Sequence, residues 1–223
     1  MKENKIDLTG IKYFLFDVDG VIVDSEKIFN KCWIEGAKAE GYDLSFEQAL
    51  QLRSLNSKMA SSLFEQWFSD SEAYPKVRYA RKKIMNEKLS HETLSLKPGV
   101  IEILSYLDSK GINYALVTSS PVSRSQEYMQ SVGLGGRFKT IISGEMVENG
   151  KPYPDIYLLA CKELGVDPLE CIAVEDSPNG IKSAHGAGCR TLMVPDLSDL
   201  DDSISEFVDF KINSLSQFEK ILL

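Results

Sequence analysis

Short apolar runs alternate with stretches of helical length along most of the chain, and nothing else in the sequence constrains the fold as tightly. The runs lie at residues 11–16, 113–118, 140–143, 171–174, 191–194 and 209–212, each of strand length and each followed by polar, proline or glycine residues. Helical stretches over 100–109, 123–132, 154–164, 179–187 and 214–223 lie between or after them. Pro98, Pro121 and Pro154 stand near helix starts, and Gly165 and Gly188 just past helix ends. The fixed φ of proline and the left-handed freedom of glycine favour that punctuation. Strands joined by helices of this length predict parallel βαβ units. The fold class is therefore α/β, with a doubly wound, Rossmann-like parallel sheet as its core.

One segment breaks the rhythm. Between about residues 25 and 90 no strand is readable, only helical periodicity: Ile28, Cys32, Trp33 and Ala37 share a face, Met59, Leu63, Trp67 and Phe68 another, and Val77, Ile84, Met85 and Leu89 a third. We read residues 25–91 as a helical cap domain inserted after the first strand, tethered by 21–24 and 92–98. Residues 1–24 and 92–223 then form the α/β catalytic core. The aromatic and methionine stripes of the insert read as helical core rather than as a cofactor box.

Charge narrows the partners. With 25 Lys+Arg against 33 Asp+Glu the net charge is −8, which disfavours nucleic acid and anionic membranes, since both need a basic surface. An anionic substrate would need a local cation, and a bound metal would serve. Cys32, Cys161, Cys171 and Cys189 are scattered, with no Cys-x-x-Cys pair and only His91 and His185 to join them. That reads as free thiols in a reducing compartment, not as a zinc site. Met1-Lys2-Glu3-Asn4-Lys5 opens polar, and no window approaches the ~20 apolar residues of a membrane span. We expect a cytoplasmic protein.

In an open parallel sheet, ligands bind at the carboxyl ends of the strands. Asp17 and Asp19 follow the first run, Thr118, Ser119 and Ser120 close the second, Lys151 follows the third, and Glu175 and Asp176 follow the fourth. Clustered carboxylates repel and would protonate unless a cation were present. Oxygen ligands without His or Cys suit Mg²⁺, which binds phosphate oxygens beside one or two carboxylates. One Asp could then attack phosphorus, and a second, two residues on, could exchange a proton with the leaving oxygen. Lys151 and the Thr118 hydroxyl would hold the transferring oxygens, and Gly20 would let the backbone approach them.

The runs Asp17-Val18-Asp19-Gly20-Val21, Leu116-Val117-Thr118-Ser119, Gly150-Lys151-Pro152-Tyr153-Pro154-Asp155 and Val174-Glu175-Asp176-Ser177-Pro178-Asn179-Gly180 resemble, in order, the four motifs of the haloacid dehalogenase-like superfamily. With a helical insert directly after the first motif, the chain is similar to that superfamily's β-phosphoglucomutase-like phosphatase branch. The resemblance spans nearly the whole chain. It implies Asp17 as nucleophile and Asp19 as general acid/base. It further implies Mg²⁺ held by Asp17, the Asp19 carbonyl and Asp176 with Glu175 nearby, and phosphate held by Thr118 and Lys151. Gly20, Ser119 and Ser120 join the phosphate-binding set, and Arg53 and Lys58 are either substrate contacts or solvated.

Two departures matter. The mutases of this branch carry a histidine on the first cap helix, and here Phe29 stands in the comparable place. The loop 53–58, Arg53-Ser54-Leu55-Asn56-Ser57-Lys58, lacks the glycine that the branch often keeps. We read Asp24-Ser25-Glu26 as a helix cap, Asp155 as opening its helix in the same way, and Lys76, Arg78, Arg81, Lys82 and Lys83 as a solvated face. The expected activity is a Mg²⁺-dependent phosphomonoester hydrolase acting, as a monomer, on a small phosphorylated metabolite such as a sugar phosphate. The rivals are a β-phosphoglucomutase-type mutase and, outside enzymes, a phospho-Asp receiver-type signalling domain, which would need no insert. Asp19 and the Glu175-Asp176 pair argue against metal-free dehalogenation.

Overall fold

β1 (Tyr13–Phe16) is the middle of a parallel sheet and is bonded on both sides. The computed structural model describes residues 5–91 and 94–223; the polar start at 1–4 and residues 92 and 93 of the second tether lie outside them. β1 pairs in register with β2 (Asn113–Thr118) and with β4 (Cys171–Glu175). β3 (Ile141–Ser143), β5 (Arg190–Met193) and the two-residue β6 (Phe210–Lys211) complete the order β3-β2-β1-β4-β5-β6, all parallel. The expected doubly wound sheet is present, and the strand order reverses beside β1, where such sheets bind ligands.

Both faces of the sheet are covered, which is why its strands read as unbroken apolar runs. Phe14 and Phe16 point to one face, where they meet α5 (Val100–Lys110), α6 (Val122–Ser131) and the C-terminal segment. Leu15 points to the other, against α7 (Asp155–Leu164) and α8 (Pro178–Gly186). The C-terminal segment departs from its expected helix over 214–223. It is a 3-10 helix, Leu215–Ile221, in which Leu215 and Phe218 are buried and Ile221 packs against the same cluster. Apolar residues three apart align on a three-residue turn, and that spacing selects the tighter helix.

The insert contains α1 (Glu26–Ala39), α2 (Phe46–Gln51), α3 (Ser57–Phe68) and α4 (Ala73–His91). Ser45 and Gln48 form a reciprocal capping box on α2, and Asn56 caps α3 by accepting from Met59 N at 2.9 Å. Phe64, packed among Trp33, Trp67, Phe68 and Tyr74, centres an apolar cluster that belongs to the insert alone. Phe29, Cys32 and Met85 instead join the main core cluster. The near ends of α1 and α4 are thus continuous with the sheet domain, while their far ends have a core of their own.

α3 ends at Ser69, an exposed residue held at φ 53, in the left-handed region that a Cβ disfavours. Ser69→Gly is expected to stabilise the protein by about 1 kcal/mol, since glycine meets that φ without strain. Urea denaturation of the variant against wild type measures it.

Candidate active site

The turn after β1 is fixed by backbone bonds. Asp17 N donates to Val174 O at 3.0 Å, continuing the ladder one residue past the strand. Gly20 N then donates to Val23 O at 2.9 Å, and Ile22 N and Val23 N both donate to Val18 O at 3.0 Å. Gly20 has φ 82, and a Cβ there would overlap the Asp176 carboxylate. Only glycine lets this turn lie against the end of β4. Gly180, on the first turn of α8, makes the same allowance for the Glu175 carboxylate.

Lys151 is fully buried between the strand ends. Its Nζ donates to Asp17 Oδ1 at 2.9 Å, Glu175 Oε1 at 2.5 Å and Val117 O at 3.1 Å, which uses all three protons. Burial alone would depress its basicity; Asp17 and Glu175 outweigh that and hold the ammonium above its ordinary value. Burial raises the Glu175 and Asp176 carboxyls, and repulsion from Asp17 adds to it, only partly offset by Lys151 and Arg53 respectively. Tyr157, on α7, donates its hydroxyl to Glu175 Oε1.

Glu175 Oε2 and Asp176 Oδ1 are buried with no hydrogen-bond partner. Carboxylate oxygens of Asp17, Glu175 and Asp176 lie within 4.8 Å of one another. An all-oxygen donor set gathered this closely suits a hard divalent cation such as Mg²⁺. Asp19 stands apart from this cluster. Its two oxygens accept from Ser25 Oγ at 2.6 Å and Ser120 Oγ at 2.9 Å, and burial followed by repulsion from Asp17 raises its carboxyl above the usual range.

The other expected residues fall out as follows. Thr118 is buried at the end of β2, where its Oγ1 accepts from Ser120 N at 3.0 Å. Ser119 lines the cavity and donates to Ser54 O at 3.2 Å. Arg53 is neither solvated nor free: it is buried, bonded to Asp176, 3.1 Å from Glu26 Oε2 through Nε, and donates to Ser198 Oγ at 2.9 Å. Lys58 is exposed and does not line the cavity. The turn for which a glycine was expected is made by Ser54 at φ 59, pinned by Ser177 Oγ at 3.2 Å.

Several dull readings need correcting. Ser25 makes no capping bond to α1, because its hydroxyl is committed to Asp19. Glu26 is buried on the cavity wall beside Arg53. Asp155 does open α7, but as its first residue, accepting from Asn149 Nδ2 at 3.1 Å. Of the expected solvated face, Arg78 and Lys82 are exposed but also line the cavity, and Arg81 is half-buried in its wall; Lys76 pairs with Asp70 and Lys83 lies over the exposed Tyr79 ring. The sequence reading missed Tyr157 and Arg124 altogether. The cavity itself is about 730 Å³, lies between the insert and the strand ends, and includes Phe29 in its wall. That size suits a small ligand.

Comparison with known proteins agrees with this geometry. The pattern of the haloacid dehalogenase-like hydrolases matches residues 14–194. The chain belongs to that family. It is 35% identical to hexitol phosphatase A of Escherichia coli (strain K12) over 209 residues, 92% of each chain. It is 31% identical to the phosphorylated carbohydrates phosphatase of Thermotoga maritima over 180 residues, 80% of this chain and 82% of the relative. The crystal structure of β-phosphoglucomutase from Clostridium difficile shares the fold, with a TM-score of 0.79 at 23% identity and 95% of each chain covered. This haloacid dehalogenase-like protein is therefore an enzyme of the phosphatase type, with a six-stranded parallel α/β core.

Lys151 is the cation on which the buried acids of this hydrolase depend. Lys151→Met is expected to cost about 3–5 kcal/mol of stability, because it leaves Asp17 and Glu175 buried without their charge partner. Tyr157→Phe, which removes one hydrogen bond, is expected to cost about 1 kcal/mol. Urea titrations of the two variants would show the difference, and equal losses would contradict the assignment of Lys151.

Proposed function

We propose that the enzyme is a Mg²⁺-dependent phosphomonoester hydrolase acting on small organic phosphates, sugar and polyol phosphates among them. The observation that carries this reading is the division of labour between two carboxylates on one turn. Asp17 sits against Lys151 and the metal-fitting oxygens of Glu175 and Asp176, whereas Asp19 accepts from two hydroxyls and is raised above the usual carboxylate range by burial and by repulsion from Asp17. Such a pair supplies a nucleophile and a proton donor at the same pH. The names of the two phosphatase relatives support the substrate class.

In this account Asp17 attacks phosphorus and carries the phosphoryl group as an aspartyl-phosphate. Asp19 gives its proton to the departing oxygen and then takes one from the water that hydrolyses the intermediate. Lys151, Thr118 and the Ser119 and Ser120 region hold the equatorial oxygens, where the charge is spread in the transition state. Mg²⁺, held by Asp17, Asp176, Glu175 and the Asp19 carbonyl, would offset the repulsion between the phosphate and the acidic cluster. Residues 25–91 act as a cap that closes over the substrate and excludes water from the first transfer. Phe29, with no proton to exchange, favours water over a sugar hydroxyl as final acceptor and so hydrolysis over mutase chemistry. The family membership sets aside the receiver-domain alternative. The same reading takes the enzyme as a cytoplasmic monomer; among the described residues no helix is long and apolar enough to cross a membrane.

A screen of phosphate release over sugar, polyol and nucleotide monophosphates is expected to show activity with Mg²⁺ and none with chelator. Asp17→Asn is expected to abolish it, and Asp19→Asn to lower kcat by roughly 10²–10⁴-fold. Mg²⁺ at a hundred times its Kd is expected to stabilise wild type by about 2.7 kcal/mol, read as a rise in Tm that Asp176→Asn loses. Unchanged Mg²⁺-dependent turnover by Asp17→Asn would sink the mechanism.

A further inference from the structure

Three of the four cysteines, scattered in the sequence, meet on one face of the sheet. Cys161 comes from α7, Cys171 opens β4 and Cys189 stands just before β5. All three are free thiols, buried in the apolar cluster between the sheet and α7. Cys161 Sγ is the shared vertex, 3.9 Å from Cys171 Sγ and 4.0 Å from Cys189 Sγ. Hydrogen bonding to Cys171, and then to Cys189, lowers the Cys161 thiol against the opposing effect of burial. The charged groups that bear on Cys161 and Cys171 are acidic, Asp167 and Glu170 respectively. Among the described residues no basic side chain hydrogen-bonds to any of the three. The cluster lies at the amino ends of the strands: Cys171 begins β4 and Glu175 ends it, about 13 Å away along the strand. Two surface turns cover it. Gly188, exposed, packs against Pro168 of the 3-10 turn Pro168–Glu170, and Cys171 Sγ donates to Asp167 O at 3.6 Å.

Sulfurs held by one centre at about 2.3 Å and at angles of about 95–120° lie about 3.4–4.0 Å apart, so both separations from Cys161 suit a single three-coordinate atom. A turn about χ1 of Cys171 or Cys189 closes the third side. Thiolates select soft centres, and burial then selects among those by charge. Three thiolates around a monovalent or divalent cation leave a net negative charge, which an apolar interior with acidic neighbours penalises. Around a trivalent centre they leave none. We propose that Cys161, Cys171 and Cys189 are a binding site for trivalent arsenic, taken up as arsenous acid. That acid is uncharged near neutral pH, so it needs no cation or attracting field to reach the thiols. Cys161, whose thiolate is the most favoured, bonds first. In all, three As–O bonds break and three As–S bonds form. Each displaced hydroxide leaves with one thiol proton as water, and nothing is oxidised or reduced. The occupied site ties α7 to the amino ends of β4 and β5 through one neutral centre, and it stands independently of the phosphatase reading.

The test adds arsenous acid to the folded protein in buffer free of other thiols. Native mass spectrometry is expected to show one arsenic gained and three hydrogens lost per chain, and arsenic X-ray absorption to show three sulfur neighbours. Tm is expected to rise, since a ligand held by the native chain alone stabilises it. Cys161→Ala, Cys171→Ala and Cys189→Ala are each expected to weaken binding by at least about tenfold and to leave two sulfur neighbours, whereas Cys32→Ala binds as wild type does. Circular dichroism checks that each variant folds, and any one of the three that does is a sufficient test. No arsenic on the folded wild type, a fall in Tm on adding it, or equal retention by a folded cluster variant would overturn the site. Zn²⁺ held in preference to arsenic, in direct competition, would overturn the choice of a trivalent centre.

Discussion

Three carboxylates converge in the interior of this protein on one lysine and one arginine, and most of its architecture serves that arrangement. Asp17, Glu175 and Asp176 would repel each other and take up protons if left to burial alone. Lys151, brought from the loop after β3, donates to two of them and anchors itself on a β2 carbonyl. Arg53, brought from the insert, donates to the third. One strand end supplies the acid, another the base, and the parallel sheet is the device that puts these ends side by side. Oxygens still lacking a partner within that cluster are of the kind that a hard cation would take as ligands.

The electrostatics of the rest of the cavity run the other way. The chain as a whole is acidic, yet Arg78, Arg81, Lys82 and Arg124 all line the cavity. Overall charge sets long-range steering, whereas selection among substrates is made where water is excluded and a charge is worth more.

The parts legible in the sequence were those whose signal is local. The strands at residues 113–118 and 171–174, the turn at Gly20 and the motif residues Asp17, Thr118, Lys151 and Asp176 could be placed because each motif follows an apolar run of strand length. The C-terminal helix type was misread because a three-residue apolar spacing over one or two turns looks much like a four-residue one until burial selects between them. The partners of Arg53, Glu26 and Ser25 were hidden for a different reason. Loop residues read alone suggest solvent or helix caps, and only the fold shows that Ser25 faces Asp19 and that Arg53 spans Glu26 and Asp176. Tyr157 had a faint signal, being a tyrosine on the buried face of an otherwise aliphatic helix. Arg124 had none, since only the fold brings α6 and α4 to one cavity.

The central claim is that Asp17 takes the phosphoryl group onto its own carboxylate. Rapid acid quench during turnover, followed by borohydride reduction and peptide mass analysis, tests it directly, because an acyl phosphate is reduced to an alcohol and an ordinary carboxylate is not. The account predicts homoserine at position 17 that appears only with substrate and Mg²⁺. Phosphate release at full rate with Asp17 unmodified, or with the reduced residue at Asp19 or Asp176, would contradict it.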